Sequence, residues 1–116
     1  MNDLGARGEL AAARYYRQKG YMLLHQNYRT RFGELDLVLY REGTLVFAEV
    51  KTRKPGAMVR GALAVDARKQ QRLILAAQQY LQNSPYAQDT IRFDVVEVEP
   101  CEKGWRVHCI MDAFTL

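Results

Sequence analysis

The sequence predicts an α/β protein in which helices pack on a mixed central sheet, with elements in the order αβββαββ. Three observations predict it. An alanine-rich segment without proline opens the chain, three strand-like runs separated by turn residues follow, and a helical stripe then precedes two further strands. At 116 residues the chain suits one domain, spanning 1–116, with room for a real core.

Each element has a local cause. Residues 5–19 read as a helix stopped by Gly20. Tyr21–Arg29 reads as a strand. In Glu34–Arg41, Leu35, Leu37 and Leu39 alternate with Glu34, Asp36, Val38 and Tyr40. Glu42-Gly43 suits a tight turn into the strand Thr44–Thr52. A loop with Pro55, Gly56 and Gly61 covers 53–64, and Asp66 caps a helix that runs to about Gln82, ended by Asn83-Ser84-Pro85. Ile91–Val98 and Trp105–Met111 are the last two strands, turned at Pro100–Gly104. The first three strands suit an antiparallel meander, and the helix at 66–82 is a crossover that lays the fourth strand parallel to the third.

Composition narrows the function classes. A charged fraction of 26% against 48% hydrophobic residues belongs to a soluble globular protein, and no apolar run approaches the ~18 residues of a membrane span. No basic-then-apolar segment opens the chain, so the expectation is a cytoplasmic protein that does not engage the membrane. Cys101 and Cys109 have neither zinc nor redox spacing and read as reduced thiols. No serine or cysteine sits in a nucleophile motif, and no glycine-rich phosphate loop is present. His25 and His108 stand apart from any ligand spacing, and Trp105, Tyr15, Tyr16 and Tyr80 fall at core periodicity.

The net charge of +4 is unevenly distributed. Seven cations (Lys51, Arg53, Lys54, Arg60, Arg68, Lys69 and Arg72) face Asp66 alone between 51 and 72, whereas six acids face three bases from Asp89 onward. That asymmetry fits a polyanion docking on one side, and equally a solvated loop and helix surface.

Charges inside strand-like segments are more informative, because burial costs several kcal/mol unless they are paired or hold a metal. A two-residue turn at Glu42-Gly43 pairs Arg41 with Thr44, so partners sum to 85. Asp36 then falls opposite Glu49, and Glu34 opposite Lys51. Facing carboxylates call for a cation or a raised pKa, and a hard divalent ion such as Mg²⁺ supplies the former. Lys51 shares the strand face of Glu49. It is placed to stabilise phosphate charge, to orient a hydroxide, or to pair with Glu34. Glu9 shares a helix face with Ala12, Ala13 and Tyr16, which carries it toward the sheet, while Gly5 and Gly8 permit close approach. A first-turn glutamate serving the helix dipole is the alternative for Glu9. Lys69 lies on the sheet-facing stripe of the second helix, at an N-terminus unfavourable to cations, and so calls for an anionic partner.

An acid on the first helix, Asp36 on one strand and Glu49-Val50-Lys51 on its hairpin partner resemble the PD-(D/E)xK nuclease signature. More closely, the chain is similar to the YraN-type family of small bacterial endonuclease-like proteins. The matching blocks are Gly5-Ala6-Arg7-Gly8-Glu9, Asn27-Tyr28-Arg29, Gly33-Glu34-Leu35-Asp36, Phe47-Ala48-Glu49-Val50-Lys51-Thr52-Arg53, Val65-Asp66, Lys69-Gln70-Gln71-Arg72 and Arg92-Phe93-Asp94-Val95-Val96, within about residues 5–114. One departure is that Phe32-Gly33-Glu34-Leu35 precedes Asp36 where a proline often stands.

The resemblance implies a restriction-endonuclease-like fold, similar to archaeal Holliday-junction resolvases. It implies a Mg²⁺- or Mn²⁺-dependent endonuclease acting on structured or branched DNA. Asp36, Glu49 and the Val50 carbonyl would hold the metal, and Glu9 would complete the outer coordination or bind a second ion. Lys51 would position the attacking water, so that Glu9, Asp36, Glu49 and Lys51 form the catalytic set. Arg29, Arg31, Arg53, Lys54, Arg60 and Lys69 would hold nucleic-acid phosphates without reading sequence. A symmetric junction as substrate would be matched by a two-fold homodimer. Two rival readings stand beside it: a non-catalytic nucleic-acid-binding module on the same fold, and a purely structural ion-pair cluster centred on Glu34 and Lys51.

Overall fold

The computed structural model describes residues 3–57 and 65–116, so Arg60 and its expected phosphate contact lie outside the described residues. Helix α1 (Leu4–Gln18) is followed by strands β1 (Met22–Thr30), β2 (Gly33–Arg41) and β3 (Thr44–Thr52). Helix α2 (Ala67–Leu81) then leads to β4 (Thr90–Cys101) and β5 (Gly104–Phe114). One five-stranded sheet runs in the order β1-β2-β3-β4-β5, parallel only between β3 and β4. This is the expected αβββαββ mixed sheet, in the arrangement of restriction-endonuclease-like folds.

The local causes also hold. Asp3 caps α1 through its side chain and Asp66 caps α2 by accepting from the Lys69 N–H at 2.8 Å. Glu42 and Gly43 both take positive φ (46° and 82°), as a two-residue hairpin turn requires, and the β2–β3 register follows with Arg41 against Thr44. The β4–β5 turn is tighter than expected. Pro100 lies within β4, paired with Trp105. The β3–β4 ladder ends at Thr52 and Val98, so Pro100 has no second neighbour for the N–H it lacks.

Each sheet face carries its own core. Ala12, Ala13 and Tyr16 of α1 pack on Leu37, Leu39, Val46, Ala48, Val96 and Val98. Leu73, Ala76, Ala77 and Tyr80 of α2 pack on Leu35, Val38, Leu45, Phe47, Phe93 and Val95. Gly8 brings α1 against β3: a Cβ there would lie 2.6 Å from Thr52 Cγ2 and 2.8 Å from Thr52 Cβ. Gly5 has no such role, since its Cβ would meet only Asp3 Oδ1 at 3.4 Å.

The two cores expose an irregularity in β2. Leu35 and Leu37 share strand parity, yet Leu35 sits in the α2 core and Leu37 in the α1 core. The pairs Gln26↔Leu37 and Tyr28↔Leu35 are kept, while Asn27 and Asp36 between them drop out of the ladder. Asn27 takes the left-handed conformation, φ 55°, which asparagine tolerates better than most residues. Alternation therefore inverts across Asn27 and Asp36, and the side chain of Asp36 leaves the strand sideways rather than toward either face.

Candidate functional site

The site grows from that inversion. The β2–β3 ladder ends at Leu37↔Ala48, so the strands part on the Asp36 side. In an unbroken register the Val50 N–H would find β2 backbone. Instead it donates to Asp36 Oδ2 at 2.8 Å. A residue's N–H and C=O leave a strand on the same side, so the Val50 carbonyl opens into the same fork.

Acids reach this fork from both layers. Glu9 of α1, Glu34 and Asp36 each bring a carboxylate oxygen within 4.8 Å of the other two. Asp36 also shares a hydrogen bond with Glu49, which leans toward α2, where Lys69 Nζ lies 3.2 Å from Glu49 Oε2. The first-helix acid is thus carried inward, and Lys69 has the anionic partner its position called for. Burial pushes the Asp36 carboxyl up to about 8, with the Glu49 charge adding to the rise against the Val50 N–H. Burial also raises the Glu9 carboxyl, opposed by hydrogen bonding from Asn27 and reinforced by the Glu34 charge.

The charge balance is incomplete. Lys69 answers Glu49, and Arg29 Nε answers Glu34 at 3.3 Å. Glu9 and Asp36 have no ion pair among the described residues. The expected Glu34–Lys51 pair is therefore corrected: Arg29 stands directly opposite Glu34 across β1–β2 and takes it. The kink at Asp36 breaks the β2–β3 register before it reaches Glu34 and Lys51. The Lys51 side chain has no ion pair or hydrogen bond among the described residues.

The remaining basic residues divide. Arg31 and Lys54 are exposed, with the Arg31 guanidinium 4.8 Å over the Phe32 ring. Arg29 is almost fully exposed despite its pairing. Arg53 turns inward, its Nε 2.7 Å from Glu97 Oε2, a carboxylate with no solvent exposure and with Oε1 unpartnered. That nitrogen is committed to the fold, which leaves only the rest of the guanidinium for a phosphate.

Two groups at the fork escaped the sequence reading. Glu34 joins the acid cluster, and Gln26 and Asn27 hydrogen-bond Glu9. The only sequence signal for the second was an asparagine in mid-strand, a residue rare in strands and tolerant of positive φ.

The fork can hold a hard cation. Its donors are carboxylate oxygens with a backbone carbonyl beside them, the ligand chemistry of Mg²⁺ and Mn²⁺. Two carboxylates without an ion pair among the described residues, Glu9 and Asp36, would match the charge of a divalent ion.

A profile described as "Uncharacterised protein family UPF0102" matches residues 8–98. The chain belongs to this family. The UPF0102 protein of Alkaliphilus oremlandii (strain OhILAs) is 42% identical over 113 residues, covering 96% of this chain and 97% of that protein. The UPF0102 protein of Ectopseudomonas mendocina (strain ymp) is 43% identical over 114 residues, 97% of this chain and 95% of the relative. One from Synechococcus sp. (strain JA-3-3Ab) is 46% identical over 108 residues, 90% and 82% respectively. The UPF0102 match takes in Gly8, all four acids of the fork and Lys51, and stops before β5. No helix among the described residues of this UPF0102 member is long and apolar enough to cross a membrane.

Proposed function

We propose that this protein is a metal-dependent endonuclease that hydrolyses phosphodiester bonds in structured or branched DNA. The observation that carries the reading is the fork itself: Asp36, wedged between parted strands, meets Glu49, Glu9 and Glu34 with no ion pair of its own among the described residues. Asp36, Glu49 and the Val50 carbonyl would hold Mg²⁺ or Mn²⁺, with Glu9 and Glu34 in reach of the outer coordination. A bound divalent ion supplies Lewis-acid polarisation of the phosphate and a more acidic water. Lys51, without an ion pair or hydrogen bond among the described residues, lies on the strand that carries Glu49 and is the group that orients the attacking water and answers charge building on the phosphate. Arg29, Arg31, Lys54 and Lys69 hold neighbouring phosphates, an interaction indifferent to sequence.

The Lys69–Glu49 ion pair favours a second reading, a nucleic-acid-binding module whose acids are internally compensated. Cleavage of a labelled four-way junction with Mg²⁺ or Mn²⁺ separates the two. The endonuclease reading expects cutting that Asp36→Asn removes; equal rates in the two proteins would contradict it. Salt-sensitive binding without cutting, intact in Glu49→Gln, is the result the binding module expects.

A further inference from the structure

A second concavity, of about 470 Å³, lies between the β1–β2 hairpin and the C-terminal half of α2. That volume falls in the range of small-ligand sites. Its α2 wall is a single stripe at helical spacing, Leu75, Gln78, Gln79 and Gln82, and its β wall includes Tyr28 and Phe32. The side-chain amides of Gln78, Gln79 and Gln82 have no hydrogen-bond partner among the described residues.

Charge changes abruptly along α2. Its first half carries Arg68, Lys69 and Arg72, whereas residues 73–91 contain no lysine or arginine and one acid, Asp89. The groove thus opens beside the cationic end of the helix but is itself neutral apart from Arg31, exposed on the hairpin. With Arg31 as the one cation among its lining residues, the groove offers far less to phosphates than the first half of α2 does. Carboxamides, each offering a donor and an acceptor, match the edges of nucleobases, and aromatic walls suit their faces.

The groove also adjoins the fork. Tyr28 pairs with Leu35, the residue before Asp36, and Arg29 beside it holds Glu34. A strand whose phosphate lies at Asp36 therefore has its next nucleotide within reach of Tyr28. Pairing and stacking in a duplex bury a base's Watson–Crick edge and both its faces, the surfaces that the amides and the aromatic wall would meet together, so the occupant is an unpaired one.

We propose that this amide-lined groove holds an unpaired nucleobase adjoining the phosphate at the carboxylate fork, so that the preferred substrates carry single-stranded nucleotides at the cut. The inference rests on the nucleic-acid reading of the fork. The test is fluorescence anisotropy of labelled DNA, with Ca²⁺ in place of Mg²⁺ to hold cleavage back. A blunt hairpin duplex is compared with the same duplex bearing a three-nucleotide single-stranded flap. The flapped DNA is expected to bind about tenfold more tightly, the scale of one stacked and hydrogen-bonded base. Gln78→Ala/Gln82→Ala, a change that favours helix, is expected to erase that advantage and leave duplex affinity unchanged. Equal affinity for the two DNAs in the wild type, or a double variant that keeps the flap preference, would overturn the groove proposal alone. An equal loss on both DNAs would overturn it too, marking a general backbone contact. No binding to either DNA would overturn it together with the reading it rests on, and would point to a groove for a protein segment.

Discussion

Asp36→Asn is expected to stabilise the metal-free protein at pH 8, raising its thermal midpoint by roughly 10 °C, the equivalent of about 2 kcal/mol in a domain of this size. Asp36 is held near 8 by burial and by Glu49, against an ordinary value of 3.8. Between those two values the folded protein keeps a proton that the unfolded chain has released. Stability of the wild type therefore falls as pH rises from about 4 to about 8 and levels above that, at about 1.4 kcal/mol per unit of separation. Asparagine carries no charge at any of these pH values, and its oxygen still accepts from the Val50 N–H. Its curve is expected to be flatter across the window and to cross above the wild type toward pH 8. Thermal melts from pH 4 to 9 in EDTA check this. A wild type as stable at pH 9 as at pH 5, or an Asp36→Asn protein with an unchanged slope, would contradict it. The residue that most weakens the empty fold is then the one assigned the metal, a familiar trade between stability and function.

Gly8→Ala is expected to lose about 2 kcal/mol of stability and to weaken divalent binding, although Gly→Ala inside a helix ordinarily gains about 1 kcal/mol. The sign reverses because the new methyl would overlap the Thr52 side chain, and overpacking of this kind costs about 1–3 kcal/mol. The clash cannot be relieved by rotating Thr52, whose Cβ is itself 2.8 Å away. α1 must lift from β3, and Glu9, the next residue, moves with it. Gly5→Ala is the control, expected to be neutral or slightly stabilising. Urea unfolding of both variants separates the close packing at Gly8 from the gain in helix propensity common to both, and a Gly8→Ala protein as stable as the wild type would contradict the expectation.

Much of the frame was legible in the sequence because its causes are local. Glu42-Gly43 fixes a two-residue turn, and the turn fixes the register that brings Asp36 toward Glu49. Asp66 starts α2, and a helix between two strands of one sheet lays them parallel. The stripe that put Lys69 on the sheet side likewise led to its acidic partner. What the sequence hid depends on irregularity. Strict alternation made Glu34 and Asp36 equivalent and placed Glu34 beside Lys51. The left-handed Asn27 and the inverted alternation at Asp36 send Glu34 instead to Arg29 and to the cluster with Glu9. Arg53 read as a surface cation because its partner Glu97 comes from a strand 44 residues later. The charges of β4 gave no warning either: Asp94, Glu97 and Glu99 are all buried and answered by Arg92, Arg53 and Arg106. The amide groove needed the hairpin and α2 brought side by side.

The central claim is that the fork between β2 and β3 holds a divalent cation through Asp36. Calorimetric titration of Mn²⁺ into the purified protein at pH 8 tests it most directly, with Asp36→Asn titrated alongside. Saturable binding in the wild type that disappears in Asp36→Asn is the result expected. Equal binding by the two proteins, or none by the wild type, would contradict it.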